Sequence, residues 1–110
     1  IELKVLHERA PLFVQLSDGS IQNKYRVKIL NKTDKDFHVK ITAEGIEGMQ
    51  LKGAEEPLYA RKGNDTSYTL YIKAPSSAIK AERTPITFRA TGIEDPTQQA
   101  VYESMFFAPR

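Results

Sequence analysis

The strongest constraint on this chain is a period-two alternation of apolar and polar residues, which recurs in five separate segments. Successive side chains of a β-strand point to opposite faces, so the pattern places apolar groups on one face and polar groups on the other. Such strands form antiparallel sheets that are packed on one side and wet on the other. The apolar members are Ile1, Leu3 and Val5; Tyr25, Val27 and Ile29; Phe37, Val39, Ile41 and Ala43; Tyr68, Leu70, Ile72 and Ala74; and Ile86, Phe88 and Ala90.

Three weaker segments complete the predicted set of strands. They are Leu12–Leu16, Met49–Lys52, which is short enough for an edge strand, and Ala100–Phe107. For the last segment we prefer the phase that buries Ser104 over the one that buries Glu103, because an unpaired buried carboxylate costs more free energy. The chain is therefore predicted to be all-β, an immunoglobulin-like β-sandwich of seven or eight antiparallel strands. A closed barrel is the alternative, although it favours more even strand lengths.

Polar segments separate the predicted strands. Residues 17–20, Ser-Asp-Gly-Ser, fit an Asx-type turn in which the glycine is free to take a positive φ. Residues 31–36 and 62–65 each stand between two strand candidates, which predicts two hairpins. Residues 76–83 predict one helical turn with Ser76 or Ser77 as its N-cap.

Composition limits the classes of protein. The chain has 110 residues and no cysteine, which predicts one domain held together by apolar packing without disulfides. A formal net charge of +2 does not fit a nucleic-acid-binding protein. No apolar run approaches the ~20 residues of a membrane span, and no signal peptide is recognisable. Because Ile1 already lies in a predicted strand, we expect residues 1–110 to be a domain cut from a longer protein.

Candidates for catalysis are few. His7 and His38 are interpreted as surface or turn histidines, and the chain has neither a G-x-S-x-G motif nor a phosphate-binding glycine loop. The acidic pairs are Asp34 and Asp36, Glu44 and Glu47, and Glu55 and Glu56. A calcium loop that begins at Asp34 needs glycine where Val39 stands. The pairs are therefore predicted to be solvated turn carboxylates, and no catalytic residue is predicted.

Two binding hypotheses involve side chains other than carboxylates. Met49, Met105, His7 and His38 carry donors that suit copper, but their separation in sequence favours core or edge methionines. Lys24, Arg26 and Lys28 form a basic stripe on the polar side of one strand. This stripe could face lipid headgroups or an acidic partner. The alternative, which we favour, is a solvated sheet face with neighbours such as Glu2 as partners.

Four segments resemble the C-terminal domain of the FixG/CcoG family. They are residues 9–25 (RAPLFVQLSDGSIQNKY), 28–33 (KILNKT), 85–88 (PITF) and 103–106 (ESMF). The resemblance extends over essentially the whole chain and is most specific over residues 9–33.

This resemblance implies a parent protein in the bacterial inner membrane, with several transmembrane helices and ferredoxin-type 4Fe-4S modules. Such proteins assist assembly of cbb(3)-type cytochrome c oxidase and are linked to reduction of copper for its active site. The resemblance also implies an immunoglobulin-like domain on the periplasmic side. The cluster-binding cysteines of the family have no counterpart here, so we expect no catalytic, cofactor-binding or metal-binding residue in this segment.

The resemblance favours a non-catalytic domain that docks onto or stabilises the membrane-bound parent. Oxidase-assembly proteins are expected as further partners, contacted through the parent. No nucleic acid or small-molecule substrate is expected as a partner. An adhesive or carbohydrate-associated immunoglobulin-like module is the alternative. The predicted interaction surface consists of Ser17, Asp18, Gly19, Ser20, Asn23 and Tyr25. A purely structural role for Asp18 and Gly19 in the turn, and for Tyr25 in the core, is the competing interpretation.

Overall fold

A computed structural model describes residues 1–109 and consists of two antiparallel sheets that form a sandwich. The strands, in chain order, are β1 (Glu2–His7), β2 (Val14–Gln15), β3 (Ile21–Leu30), β4 (Phe37–Glu44), β5 (Gln50–Lys52), β6 (Leu58–Ala60), β7 (Asp65–Ala74), β8 (Arg83–Gly92) and β9 (Gln99–Phe107). The first sheet has the order β1-β3-β7-β5, with β2 paired to the start of β3. The second sheet has the order β6-β4-β8-β9. The prediction of an all-β sandwich is confirmed; Arg110, the last residue of the predicted domain, lies outside the described residues.

The core lies between the sheets and is built from the apolar members of the alternating series. Val27 and Leu70 of the first sheet, and Val39 and Phe88 of the second, have no exposed surface. The ring of Tyr25 meets that of Phe88 edge-on at a centroid distance of 5.1 Å, which joins the two sheets. This is the arrangement that period-two alternation with one buried face requires.

Residues 1–109 form nine strands where seven or eight were predicted. The additional strand is β6, which has three residues and is too short to show an alternating series. The predicted edge position of the Met49–Lys52 segment is confirmed, because β5 pairs only with β7. The preferred phase of β9 is also confirmed, since Phe106 is buried and Glu103 is exposed.

Both predicted hairpins are wrong, because each loop crosses from one sheet to the other. Residues 31–36 connect β3 to β4, and residues 61–64 connect β6 to β7. Asn31 ties the two crossings together from a buried position: its Nδ2 donates to the carbonyls of Lys35 at 2.8 Å and Ala60 at 2.9 Å. The Asn31 carbonyl also accepts the Gly63 N–H at 2.9 Å. A buried asparagine with these partners stabilises two loops at one end of the sandwich.

The predicted helical turn is a short 3₁₀ turn at Ser76–Ala78. Its N-cap is Pro75, without a side-chain cap bond, so the prediction of a serine N-cap is wrong. Within residues 1–109, no helix has the length and apolar character to cross a membrane.

Candidate functional site

The exposed part of the predicted interaction surface is the turn between β2 and β3. Asp18 Oδ1 accepts the Ser20 N–H at 2.9 Å and also the Ser20 hydroxyl. Gly19 has a φ of +88°, and the Gly19 N–H donates to the Leu16 carbonyl at 2.9 Å. The predicted Asx-type turn is confirmed, and its geometry leaves Ser17 and Asp18 facing solvent.

A lysine from another strand fixes the turn electrostatically. Lys73 of β7 places its Nζ 2.8 Å from Asp18 Oδ2. Hydrogen bonding to Lys73, and then to Ser20, holds the pKa of the Asp18 carboxyl well below its usual range. Asp18 is therefore ionised at neutral pH and acts as a fixed acceptor. Lys73 could not be identified from the sequence as the partner of Asp18, because 55 positions separate the two residues and only the register of β3 on β7 brings them together.

A polar groove of about 400 Å³ lies beside this turn. It is lined by Asp18, Ser20, Gly48, Gln50, Lys73, Pro75, Ser76 and Ser77. The polar side chains among them, such as Gln50, Ser76 and Ser77, can donate hydrogen bonds to a polar segment of a partner protein and accept hydrogen bonds from it. The Ser20 hydroxyl donates to Asp18, and the Asp18 carboxylate is in turn paired with Lys73. The groove therefore presents an ordered polar surface to a partner.

Three of the six residues predicted to form the interaction surface, Ser20, Asn23 and Tyr25, are buried and expose almost no surface to a partner. Asn23 is 1% exposed and Tyr25 is 0% exposed. Asn23 Nδ2 donates to the Phe107 carbonyl at 2.8 Å, and Asn23 Oδ1 accepts the Phe107 N–H at 2.8 Å. The Tyr25 hydroxyl donates to the Met105 carbonyl at 2.9 Å. Both side chains attach β9 of the second sheet to β3 of the first, which agrees with the competing structural interpretation of Tyr25.

His7 is also part of this polar cluster, so its prediction as a surface or turn histidine is wrong. Its Nε2 lies 2.5 Å from Asn23 Oδ1. Because that oxygen already accepts the Phe107 N–H, His7 must be the donor. The ring packs edge-on against Tyr25 at 5.0 Å and Phe107 at 4.7 Å. Its Nδ1 is buried and has no hydrogen-bond partner among residues 1–109.

The side chains of the copper hypothesis do not converge. His7 lies beside Phe107, which pairs with Arg83, whereas His38 accepts the Ile93 N–H through its carbonyl at the far end of β8. The ten residue steps from position 83 to position 93 correspond to about 33 Å of extended strand. Among the described residues, no group of three or more His, Asp or Glu side chains is arranged to hold a metal ion. The hypothesis of a copper site from these four residues is wrong.

His38 is exposed, as predicted, and hydrogen-bonds to Glu94 near the start of β4. Its Nδ1 lies 2.7 Å from Glu94 Oε2, while the His38 N–H donates to Glu94 Oε1 at 2.7 Å. These hydrogen bonds lower the pKa of the Glu94 carboxyl. The pair fastens the loop after β8 onto β4.

Three of the paired carboxylates serve as turn or surface partners, as predicted. Asp36 Oδ1 accepts the Lys62 N–H at 2.8 Å, and Glu55 Oε1 accepts the Gly53 N–H at 2.7 Å. Glu44 pairs with Arg89 at 3.0 Å. The hydrogen bond from the Lys62 amide lowers the pKa of Asp36, and backbone hydrogen bonds lower the pKa of Glu55. Neither carboxyl is poised as a general acid.

Exposed aromatic side chains are sparse. Among residues 1–109, Tyr59 is the one aromatic residue among the strongly exposed large hydrophobic side chains, at 42%. Tyr71 alternates with the buried Leu70 and Ile72 and so lies on the outward side of β7, but it is half-buried and belongs to the other sheet. A carbohydrate site of the expected kind stacks a sugar ring on two exposed aromatic side chains of one face, and residues 1–109 present no such pair.

Three comparisons with known proteins agree with one another. Residues 1–109 match the family described as "IG-like fold at C-terminal of FixG". The chain is 35% identical to Protein RdxB of Cereibacter sphaeroides over 91 residues, which cover 78% of the chain and 19% of RdxB. It is 43% identical to Nitrogen fixation protein FixG of Rhizobium meliloti over 54 residues, which cover 49% of the chain and 10% of that protein. The chain thus spans about a fifth or less of these relatives.

The fold is also found in a solved structure. The crystal structure of a FixG-related protein from Vibrio parahaemolyticus superposes with a TM-score of 0.81 at 20% sequence identity. The superposition covers 98% of this chain and 95% of that one. This match shows a shared fold over nearly the full length of both chains.

Proposed function

This chain belongs to the family of immunoglobulin-like domains at the C-terminus of FixG, and from that premise we propose that it is a non-catalytic docking and stabilising domain. Its parent would be a membrane-bound, ferredoxin-type oxidoreductase. In this proposal the parent assists assembly of cbb(3)-type cytochrome c oxidase and reduction of the copper for its active site. The 4Fe-4S clusters belong to the parent, and the domain stands on the periplasmic side of the inner membrane.

The observation that carries the proposal is the match of the chain to the C-terminal domain of much longer family proteins. Several of its buried or ordered polar side chains have structural partners, which agrees with this proposal. His7, Asn23 and Tyr25 hydrogen-bond across the two sheets. Asp36 and Glu55 hold turns. A chain whose ordered polar groups have structural partners suits a rigid recognition module better than a reaction centre.

The docking site that we propose is the β2–β3 turn with its polar groove. Ser17 and Asp18 are exposed there, and Lys73 holds the Asp18 carboxylate in one position. A partner that hydrogen-bonds to this site meets a pre-organised surface. Few side chains of the domain have to become ordered on binding, which limits the entropic cost of association. The remainder of the parent and the oxidase-assembly proteins are the partners that we propose.

The test uses the full-length parent in its native membrane. Deletion of residues 1–110 should leave the iron content of the parent and its copper(II) reduction in place, while the amount of assembled oxidase falls. A full-length Asp18→Ala/Lys73→Ala variant should reproduce the loss of oxidase without loss of the parent protein. Loss of clusters on deletion of the domain, or unchanged oxidase assembly at equal abundance of the parent, would contradict the proposal.

A further inference from the structure

The two outer faces of the sandwich differ in charge. The strands of the first sheet carry six cationic side chains and two carboxylates. Both carboxylates, Glu2 and Asp65, lie opposite Leu30 at one end of that sheet. The strands of the second sheet carry three cationic side chains and two carboxylates. The excess positive charge of the chain is therefore concentrated on one face.

We call the outward cations of β1, β3 and β5 the basic face: Lys4, Lys24, Arg26, Lys28 and Lys52. They lie in three neighbouring rows that run across the strands, perpendicular to them. In one of these rows Lys4 stands directly opposite Lys28. Like charges directly opposite one another destabilise a sheet. Nothing in the packing of the sandwich requires this pair, because both side chains point away from the core.

The carboxylates around the basic face neutralise it only in part. Arg26 approaches Glu8 at 3.8 Å, and Lys28 approaches Asp65 at 3.6 Å, both longer than a good charge-assisted hydrogen bond. Lys4, Lys24 and Lys52 form no salt bridge among residues 1–109. Glu2, which was expected to partner the basic stripe, pairs with Lys32 in the loop between β3 and β4.

An exposed apolar side chain stands among these cations. Leu6 is 62% exposed and lies opposite Arg26 on the neighbouring strand. It lines a shallow pocket of about 410 Å³ with Lys4, Lys28 and Tyr102. An exposed leucine surrounded by lysine and arginine is the pattern by which peripheral proteins engage a lipid interface.

We propose that the basic face docks onto an anionic lipid surface. The cations are spread over the sheet and do not line one groove: three strand spacings, about 14 Å across the sheet, separate the strands of Lys4 and Lys52, and Lys24 and Lys28 are about 13 Å apart along β3. A flat anionic surface meets all of them at once, whereas an extended acidic peptide follows a single row. The inference does not depend on the proposed role in oxidase assembly.

Vesicle co-sedimentation of the purified chain tests this proposal. The chain should bind mixed phosphatidylcholine–phosphatidylglycerol vesicles at low salt, bind pure phosphatidylcholine vesicles weakly, and dissociate as salt screens the charges. Lys24→Glu/Lys28→Glu should weaken binding by at least about tenfold, since each cation near such a surface contributes roughly one kcal/mol.

The matched control is Lys40→Glu/Arg89→Glu on the second sheet. It changes the net charge by the same amount and, like the test pair, alters one lysine without a salt bridge and one cation with a carboxylate partner. Leu6→Ser should weaken binding, and Val101→Ser, also at an exposed site, should not. Equal losses in both double variants, no binding at low salt, or binding to polyglutamate without binding to vesicles would each overturn the proposal. Circular dichroism and urea unfolding establish that each variant is folded.

Discussion

Asn23 and Phe107 pair as two peptide groups do, although one of the partners is a side chain. The amide of Asn23 donates to and accepts from the backbone of Phe107, with both distances at 2.8 Å. In this way β3 of the first sheet holds the C-terminal end of β9, an edge strand of the second sheet. An unpaired strand edge is a site for unwanted pairing with other chains, and this contact closes part of it.

Replacement of Asn23 by alanine should therefore destabilise the chain strongly. The Phe107 N–H and carbonyl and the His7 Nε2–H all lose their partner at a buried position. The expected loss is about 3 kcal/mol in the free energy of unfolding, measured by urea denaturation. Gln22→Ala, at the neighbouring half-buried position, should cost less than about 1 kcal/mol. Equal costs for the two variants would show that the contact contributes nothing.

Tyr25 should make the chain sensitive to alkali. Burial raises the pKa of its hydroxyl above the usual value of 10.0. Above that pH the unfolded chain releases a proton that the folded chain retains. The contribution of Tyr25 to the free energy of unfolding is therefore fully present below about pH 10 and is lost as the pH rises further. Tyr25→Phe should lower stability by about 1 kcal/mol at neutral pH, through loss of the bond to Met105, and should flatten the decline in alkali.

Urea midpoints measured across the alkaline range check this prediction. Tyr71→Phe, at a half-buried position whose hydroxyl has no observed hydrogen bond among residues 1–109, is the matched control and should leave the alkaline decline unchanged. An equally steep decline in Tyr25→Phe would assign the effect to another group.

Two glycines with positive φ should respond differently to alanine. Gly19 has a φ of +88° and open space where a Cβ would stand, so Gly19→Ala should cost about 1 kcal/mol from backbone strain. Gly45 has a φ of +142°, and a Cβ there would lie 2.7 Å from the Pro85 carbonyl oxygen and 2.9 Å from Ile86 Cγ2. Gly45→Ala should cost a further ~1–3 kcal/mol through this collision. Thermal unfolding of both variants measures this difference in stability, and similar melting temperatures would contradict the predicted collision at Gly45.

Asp18 should contribute stability at neutral pH that disappears in acid. Its pKa is lowered in the folded chain by Lys73 and Ser20, so the contribution is present above the usual pKa of 3.8 and is lost as the pH falls below it. Asp18→Asn should be slightly less stable than the unmodified chain at neutral pH, and the two stabilities should converge in acid. Because the pair is exposed, added salt should shrink the difference. A difference that persists in acid would point to the Asx turn and not to the charge.

The alternation of apolar residues was enough to predict the two-sheet fold and most of its strands. It also contained more information about the polar cluster than the prediction used. Asn23 falls between Ile21 and Tyr25 in the inward phase of β3, and His7 continues the inward phase of Leu3 and Val5. A strict application of the period would have placed both in the interior.

The sheet crossings and the partner of Asp18 could not be predicted in the same way. A polar loop has the same composition whether it turns back on its own sheet or crosses to the other, so residues 31–36 carried no local signal for the crossing. The contact between Asp18 and Lys73 depends on the register of β3 against β7, which only the packed structure defines. The three-residue strand β6 is stabilised by β4 and has no alternating series of its own.

The most direct test of the account is the redox chemistry of the purified 110-residue chain. Iron and copper are quantified after purification, and reduction of copper(II) is followed with an external electron donor. We predict no stoichiometric metal and no turnover above a denatured control, while circular dichroism shows a folded β protein. Stoichiometric iron, or copper(II) reduction that disappears when the chain is unfolded, would contradict the account of a docking domain without a reaction centre.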